Sequence, residues 1–270
     1  MKFSEVGHMR IGAYQFSITS DVDSNFNKIE NAINEAKEKQ IKLLVFPECA
    51  LTGYPPRDLK SSADVDFTKL DVIYNQLQQS CNLLDINVII GTITQEDNKY
   101  YNAALFFSPF RERQSYKKRA LWGWDKDNFE IGNDEGIFQV DDWKIGIRIC
   151  FEIRFPEYFR ELYKEQTDIN IIMFYDVSDN NDVFRYEMIK SHIMTRAVEN
   201  VTYTLSVNAI SPFQTAPTIL FGRSGQVLNE TVRNEESLLV YDLEKKEIDF
   251  GETGRKEVTD WLLSNSMLNR

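Results

Sequence analysis

Apolar positions recur along the chain with two periods, and the switches between them mark out the elements. Residues 10–17 read as a first strand. Phe26, Ile29, Ala32, Ile33 and Ala36 then follow at helical spacing, with Asp23 or Ser24 as the expected N-cap. Residues 42–46 form a short apolar run closed by Pro47, the pattern of a buried strand that ends in a loop. Helical spacing returns over 66–84, where Ile73, Leu77, Cys81 and Leu84 share one stripe. Strands are expected over 88–93, 103–107, 143–149, 169–174, 201–207 and 238–243, and helices over 156–165 and 184–199. Helices alternate with buried strands early, and strands with short turns dominate late. That mixture predicts a layered α/β protein rather than a helical bundle or an all-β barrel. No repeat and no Pro/Gly/Ser-rich linker divides the chain, so residues 1–270 read as one domain.

Composition narrows the partners. The formal net charge of −11 repels a nucleic-acid backbone and an anionic membrane alike. No apolar run reaches membrane-spanning length, and Met1 to Arg10 lacks the apolar stretch of a signal peptide. An anionic small molecule stays open as a substrate, because one lysine in a pocket outweighs a distant surface. The cysteines are Cys49, Cys81 and Cys150. An odd count in a chain of this size fits reduced thiols in the cytoplasm better than a disulfide framework.

Three segments each put a reactive side chain at the end of a strand, where a rigid element meets a loop free to shape a pocket. In Phe46-Pro47-Glu48-Cys49, a carboxylate directly follows a buried strand. Desolvation there raises its pKa and makes it a competent base. In Tyr116-Lys117-Lys118-Arg119-Ala120, alternation sends Tyr116, Lys118 and Ala120 to one face, so Lys118 is the inward lysine. A buried ammonium beside a carboxylate can hold a developing oxyanion. In Ile149-Cys150-Phe151-Glu152, the thiol ends an apolar strand on what can be a sharp turn. Taken singly, each segment also has a plainer reading: a solvated or helix-capping loop carboxylate, a basic strand edge, a packed core thiol. Cys81 sits on a helix stripe and reads as packing. Cys49 points away from its neighbour Glu48 on extended backbone. Glycine-rich phosphate loops, H-E-x-x-H and G-x-S-x-G are all absent. With only His8 and His192 in the chain, a histidine-rich metal site is not expected, and a Cys150–His192 dyad is the remaining thiol alternative.

Taken together, the segments resemble the nitrilase superfamily of carbon–nitrogen hydrolases. Phe46-Pro47-Glu48 is similar to the family's glutamate motif, and Tyr116 to Leu121 to its lysine motif, Y-x-K-x-H-L. Ile149 to Glu157 resembles its cysteine motif, I-C-[YF]-D-x-R-F-P-E. Tyr101-Asn102-Ala103-Ala104, Arg196 to Asn200 and Ser206-Val207-Asn208 are further echoes, and the likeness runs from residue 10 to about 243. It implies a four-layer α-β-β-α sandwich. It also implies Glu48 as base, Lys118 as oxyanion stabiliser, Cys150 as nucleophile and the Phe151 backbone N–H as a second oxyanion donor. The implied reaction is hydrolysis of a small amide through a cysteine thioester, with water as the second reactant and no metal or cofactor. Alternatives on the same triad are N-carbamoyl hydrolase, nitrilase and acyl transferase; a non-catalytic binding member of the fold is a further alternative. A homodimer or an assembly of dimers is implied; separately, the length and mixed character of the acidic stretch 244–270 suggest an extension that reaches over a partner subunit. Three departures stand out: Ala120 where His is frequent, Glu152 where Asp is usual, and Asp125 where many members carry a second glutamate. Tyr54, Trp122, Trp124, Phe174 and Tyr175 lie near the motifs as candidates to line the pocket, or else as core or interface aromatics. Asp176 is a candidate to recognise a cationic group or to cap a loop. Gly53-Tyr54-Pro55-Pro56 is similar to a loop in the glutaminase domains of some members.

Overall fold

A computed structural model describes residues 7–265. The first five strands are β1 (His8–Gln15), β2 (Leu43–Val45), β3 (Asn87–Glu96), β4 (Lys99–Phe107) and β5 (Gln114–Lys117). The chain continues through β6 (Ile137–Val140), β7 (Trp143–Ile149), β8 (Ile169–Phe174), β9 (Val177–Ser178), β10 (Tyr203–Asn208), β11 (Phe213–Gln214), β12 (Ile219–Phe221) and β13 (Val227–Glu230). Last comes β14 (Ser237–Glu244), which returns to pair antiparallel with β1. Two six-stranded sheets result, ordered β14-β1-β2-β3-β4-β5 and β13-β12-β10-β8-β7-β6, while β9 and β11 pair with each other.

The helices are α1 (Val22–Glu38), α2 (Phe67–Leu84), a short α3 (Trp124–Asn128), α4 (Pro156–Lys164), α5 (Val183–Asn200) and α6 (Phe250–Ser264). In sheet one, β1, β2 and β3 run parallel and are joined by α1 and α2; in sheet two, β7, β8 and β10 run parallel and are joined by α4 and α5. Parallel neighbours need such crossovers, and each crossover lays its apolar stripe on the outer face of its sheet. Ile29, Ile33, Leu70, Ile73, Leu77 and Cys81 accordingly pack on Leu44, Val88, Ile90 and Phe107. On the other side Phe159, Leu162, Ile189 and Ile193 pack on Ile172, Phe174, Ile219 and Phe221. The inner faces meet through Ile11, Val45, Ile89 and Phe106 from one sheet and Trp143, Ile147, Ile171 and Leu205 from the other. These three apolar clusters separate four layers, α-β-β-α, as expected.

Local differences have local causes. α1 is capped by Asp21, whose carboxylate accepts from the N–H groups of Asp23 and Ser24, so the helix starts before either residue expected to cap it. Val201 is not a strand residue: α5 runs on to Asn200, and Val201 takes the left-handed conformation that closes the helix. α6 folds onto its own chain, with Tyr163 donating to Asp260 at 2.6 Å and Arg223 paired with Glu252 at 3.1 Å. Of the stretch 244–270, residues 266–270 lie outside the described residues. Among those described, no helix is long and apolar enough to cross a membrane.

The topology has one functional consequence. Glu48, Cys150 and Tyr175 all follow the carboxyl ends of parallel strands (β2, β7 and β8), the position where open α/β sheets form ligand crevices.

Candidate active site

Each reactive side chain is fixed by the backbone behind it. Glu48 lies three residues past β2, in a loop pressed against β3. A Cβ on Gly91 would sit 2.2 Å from the Pro47 carbonyl oxygen and 2.6 Å from the Glu48 Cα, so only glycine lets the two segments meet. Lys118 lies one residue beyond β5. Its N–H donates to the Asn102 carbonyl at 2.8 Å and its carbonyl accepts from Gly132 N–H at 2.9 Å. Burial alternates through Tyr116, Lys118 and Ala120, as the side-chain period requires, so Lys118 turns inward. Cys150 follows β7 directly at φ 46, a left-handed conformation that non-glycine residues rarely adopt. The chain enters a 3₁₀ turn, Cys150–Arg154, at that point. A strand reversed so sharply presents its thiol at the apex of a turn, with the first N–H groups of the turn beside it.

The polar groups converge. Lys118 Nζ donates to Glu48 Oε1 at 2.8 Å and lies 2.8 Å from Asp125 Oδ2. Asn102 Nδ2 donates to the same Glu48 oxygen at 2.7 Å, and the Tyr175 N–H donates to Glu48 Oε2 at 2.7 Å. Tyr54 OH donates to Asp125 Oδ1 at 2.8 Å, and its ring stacks on Tyr175 with centroids 5.2 Å apart. Glu48 and Lys118 are each 1% exposed, while Cys150 keeps part of its surface open. Burial raises Glu48 above its ordinary value, offset in part by Lys118. Burial alone would push Lys118 down, but Glu48 and Asp125 outweigh it and hold the ammonium well above its usual range. Cys150 is pushed well up, first by burial and then by the Glu48 charge, with Lys118 pulling the other way. Burial thus favours the protonated form of the thiol, while Lys118 bridges the Glu48 and Asp125 carboxylates. A carboxylate within reach of a neutral thiol is a base with a proton to take.

The remaining candidates separate. Asp176 is buried and held bidentate by Arg185, at 2.9 and 2.8 Å, with Thr215 as a further donor. Its carboxylate is therefore already occupied by a cation of its own chain. Tyr175 contributes its backbone N–H to Glu48, and its ring packs on Tyr54. Phe174, by contrast, points to the other side of its strand, fully buried among Phe159, Ile189 and Ile193 under the outer helices. Successive residues of a strand face opposite ways, and so the expectation that Phe174 lines the pocket is corrected. Trp122 and Trp124 are 67% and 55% exposed, and Lys126 covers the Trp122 ring. His192 turns back on its own helix, its Nδ1 2.8 Å from the Met188 carbonyl. Among the described residues no group of three His, Cys, Asp or Glu is arranged to hold a metal ion.

Two polar residues were not singled out from their own chemistry. Asn102 lay within a family echo, but nothing in its spacing ties it to Glu48. Glu152 was noted only as a departure from aspartate, yet it is fully buried and accepts four hydrogen bonds.

Comparisons with known proteins bear on the family and the fold. The family model described as "Carbon-nitrogen hydrolase" matches residues 10–250. A 2-oxoglutaramate amidase from Bacillus subtilis is 27% identical over 204 residues, covering 73% of this chain and 75% of that protein. An (R)-stereoselective amidase from a Pseudomonas species is 26% identical over 192 residues, covering 70% of this chain and 66% of that one. The crystal structure of an amidase from a Nesterenkonia species superposes with a TM-score of 0.78 at 22% identity, over 97% of this chain and 99% of its own.

Proposed function

The chain belongs to the carbon–nitrogen hydrolase family, and on that premise we propose that it hydrolyses a small amide through a thioester on Cys150. The observation that carries this reading is the buried Lys118 ammonium held between Glu48 and Asp125, beside a thiol on a left-handed turn. Glu48 takes the thiol proton as the sulfur attacks the amide carbon. Lys118 and the Phe151 N–H receive the charge that develops on the oxygen. The carbon–nitrogen bond breaks, and the leaving nitrogen takes its proton from Glu48. Water enters, Glu48 removes its proton, and the thioester carbon–sulfur bond breaks to give the acid and the free thiol. Asp125 keeps Lys118 charged and oriented throughout. No step uses a metal or cofactor. Removal of one oxyanion donor typically costs about 10²–10³ in turnover.

A specific observation supports a narrower substrate class, an amide whose acyl part carries a carboxylate. Arg154 lies on the same turn as Cys150 and is half-buried. The guanidinium's one side-chain partner among the described residues is the Met188 sulfur at 3.5 Å. Arg185, by contrast, is matched to Asp176. A half-buried guanidinium without a carboxylate is suited to supply a fork for one. Ammonia release from succinamate and from butyramide, each by wild type, R154Q and C150A, tests both levels. We expect release that C150A abolishes, with succinamate preferred at least about tenfold in kcat/KM and the preference lost in R154Q. Release that survives C150A overturns the thioester reading. Equal use of both amides by wild type overturns only the narrower one.

A further inference from the structure

Glu152 occupies a position the reaction scheme leaves unused. It is fully buried, and no cation pairs with it among the described residues. Its Oε1 accepts from Tyr116 OH at 2.6 Å, from Arg119 N–H at 2.7 Å and from Ala120 N–H at 3.4 Å. Its Oε2 accepts from Ile149 N–H at 2.6 Å. The donors fall in two groups. Tyr116, Arg119 and Ala120 surround Lys118; Ile149 immediately precedes Cys150. One carboxylate therefore joins the end of β5 in the first sheet to the end of β7 in the second. Three backbone N–H groups that the loops would otherwise bury unpaired are satisfied at the same point. A buried donor left unpaired is costly, so the arrangement strongly prefers an acceptor with two oxygens.

We infer that Glu152 is a positioning residue that sets the distance between the Lys118 ammonium and the Cys150 thiol by clamping both backbones. The inference rests on the thioester reading for its catalytic consequence, but the clamp itself is independent of substrate. The chemistry of the two oxygens makes it testable. In E152Q one oxygen becomes an NH₂ group, so a donor must face a donor on one side of the clamp. The side chain keeps its size, and one of the two segments is released. E152D keeps the charge but is one methylene shorter, so in this backbone it reaches only one segment fully. Y116F is the control: it removes a buried hydrogen bond to the same carboxylate and leaves both backbone links in place.

The experiment measures kcat, KM and melting temperature for the three variants on the best amide. It also measures the rate at which iodoacetamide alkylates Cys150 across pH, followed by intact-protein mass. We expect kcat to fall about 10²-fold in E152Q with KM within about twofold, since a misplacement of ~1 Å costs that much. E152D should fall about tenfold in kcat, also with KM held. Y116F should lose melting temperature comparably to E152Q and keep kcat within about threefold. The pH at which Cys150 becomes reactive should move in E152Q and stay in Y116F, because only E152Q changes the spacing of thiol and ammonium. Wild-type kcat in folded E152Q overturns the inference. So does a fall in E152Q and Y116F that merely tracks melting temperature. Should E152Q not fold, E152D with wild-type kcat and an unmoved alkylation profile overturns it as well. If wild type releases ammonia from no amide, the thioester reading fails, while the alkylation profiles still decide the clamp.

Discussion

Burial first, and then charge, favours the Cys150 thiol over the thiolate. Three carboxylates, Glu48, Asp176 and Asp125, act against a thiolate and the Lys118 ammonium acts for it. Burial and that balance both oppose a thiolate. Activation must therefore come from proton transfer to Glu48 during attack, not from a preformed anion. A prediction with an unusual sign follows: E48Q should make the thiol easier to ionise while abolishing hydrolysis. Alkylation of Cys150 would then begin at lower pH in E48Q than in wild type; the same or a higher onset would contradict the account. Lys118 has a different part. Replacing it by Met leaves Glu48 and Asp125 buried without a cation, at a cost of about 3–5 kcal/mol. Glu48, already raised by burial, then rises further, so the native state binds an extra proton and stability falls as pH rises from the ordinary carboxylate range to that raised value. K118M should thus melt higher at acidic than at neutral pH, relative to wild type; an equal deficit at both would refute the pairing. Of these residues the sequence made Glu48 and Cys150 legible because each follows a strand whose apolar run is visible, and Lys118 through the alternation of Tyr116, Lys118 and Ala120. Asn102, the Tyr175 N–H and the Glu152 clamp were not legible in the same way. Their partners are 54, 127 and about 33 residues distant, and only the folded chain brings them together.

At the scale of elements, the site depends on how closely two segments approach. β3 runs against the Glu48 loop across Gly91, and the Phe46 N–H and Leu51 N–H donate to carbonyls of β3. G91A would push a methyl into backbone, where side-chain adjustment gives no relief. Overpacking of this kind costs about 1–3 kcal/mol. Because the strain falls on the Glu48 loop, kcat should drop more than stability suggests. A G91A variant with a lowered melting temperature and intact turnover would show that the loop moves without harm. The hydrophobic period gave β7 and β8, whose expected and observed limits agree, but not β6, β12, β13 or α6, whose runs are short or mixed. Ends were harder to read. Asp21 rather than Asp23 caps α1 because the loop after β1 ties Thr19 to Asn25 and begins the helix early. Phe174 was a pocket candidate only by its proximity to a motif, which says nothing about which face of a strand a residue occupies.

On the scale of the whole molecule, the sandwich keeps reactive groups and surface apart. The formal net charge of −11 belongs to the whole chain, and the site itself holds two carboxylates against one ammonium, so on the proposed reading an anionic substrate depends on Arg154 for its counter-charge. α5 leaves Phe184 80% exposed and Met194 partly so, and Phe155 beside α4 is exposed too. We propose that these faces of α4 and α5 meet in a homodimer, as the family resemblance implies. Sedimentation equilibrium should give twice the chain mass for wild type and less association for F184D; a monomer at micromolar concentration would contradict this. Since each proposed step uses the chain's own groups, dialysis against a chelator should leave turnover unchanged, and activity restored only by a divalent ion would refute the mechanism. The central claim is the covalent thioester. Wild-type protein quenched in acid within the first turnovers of an amide, digested and mapped by mass spectrometry, tests it most directly. The account predicts an acyl mass on the peptide containing Cys150, absent from C150A and enriched when hydrolysis is slowed. Ammonia release with no acyl mass on Cys150, or with the adduct on Cys49 or Cys81, would contradict it.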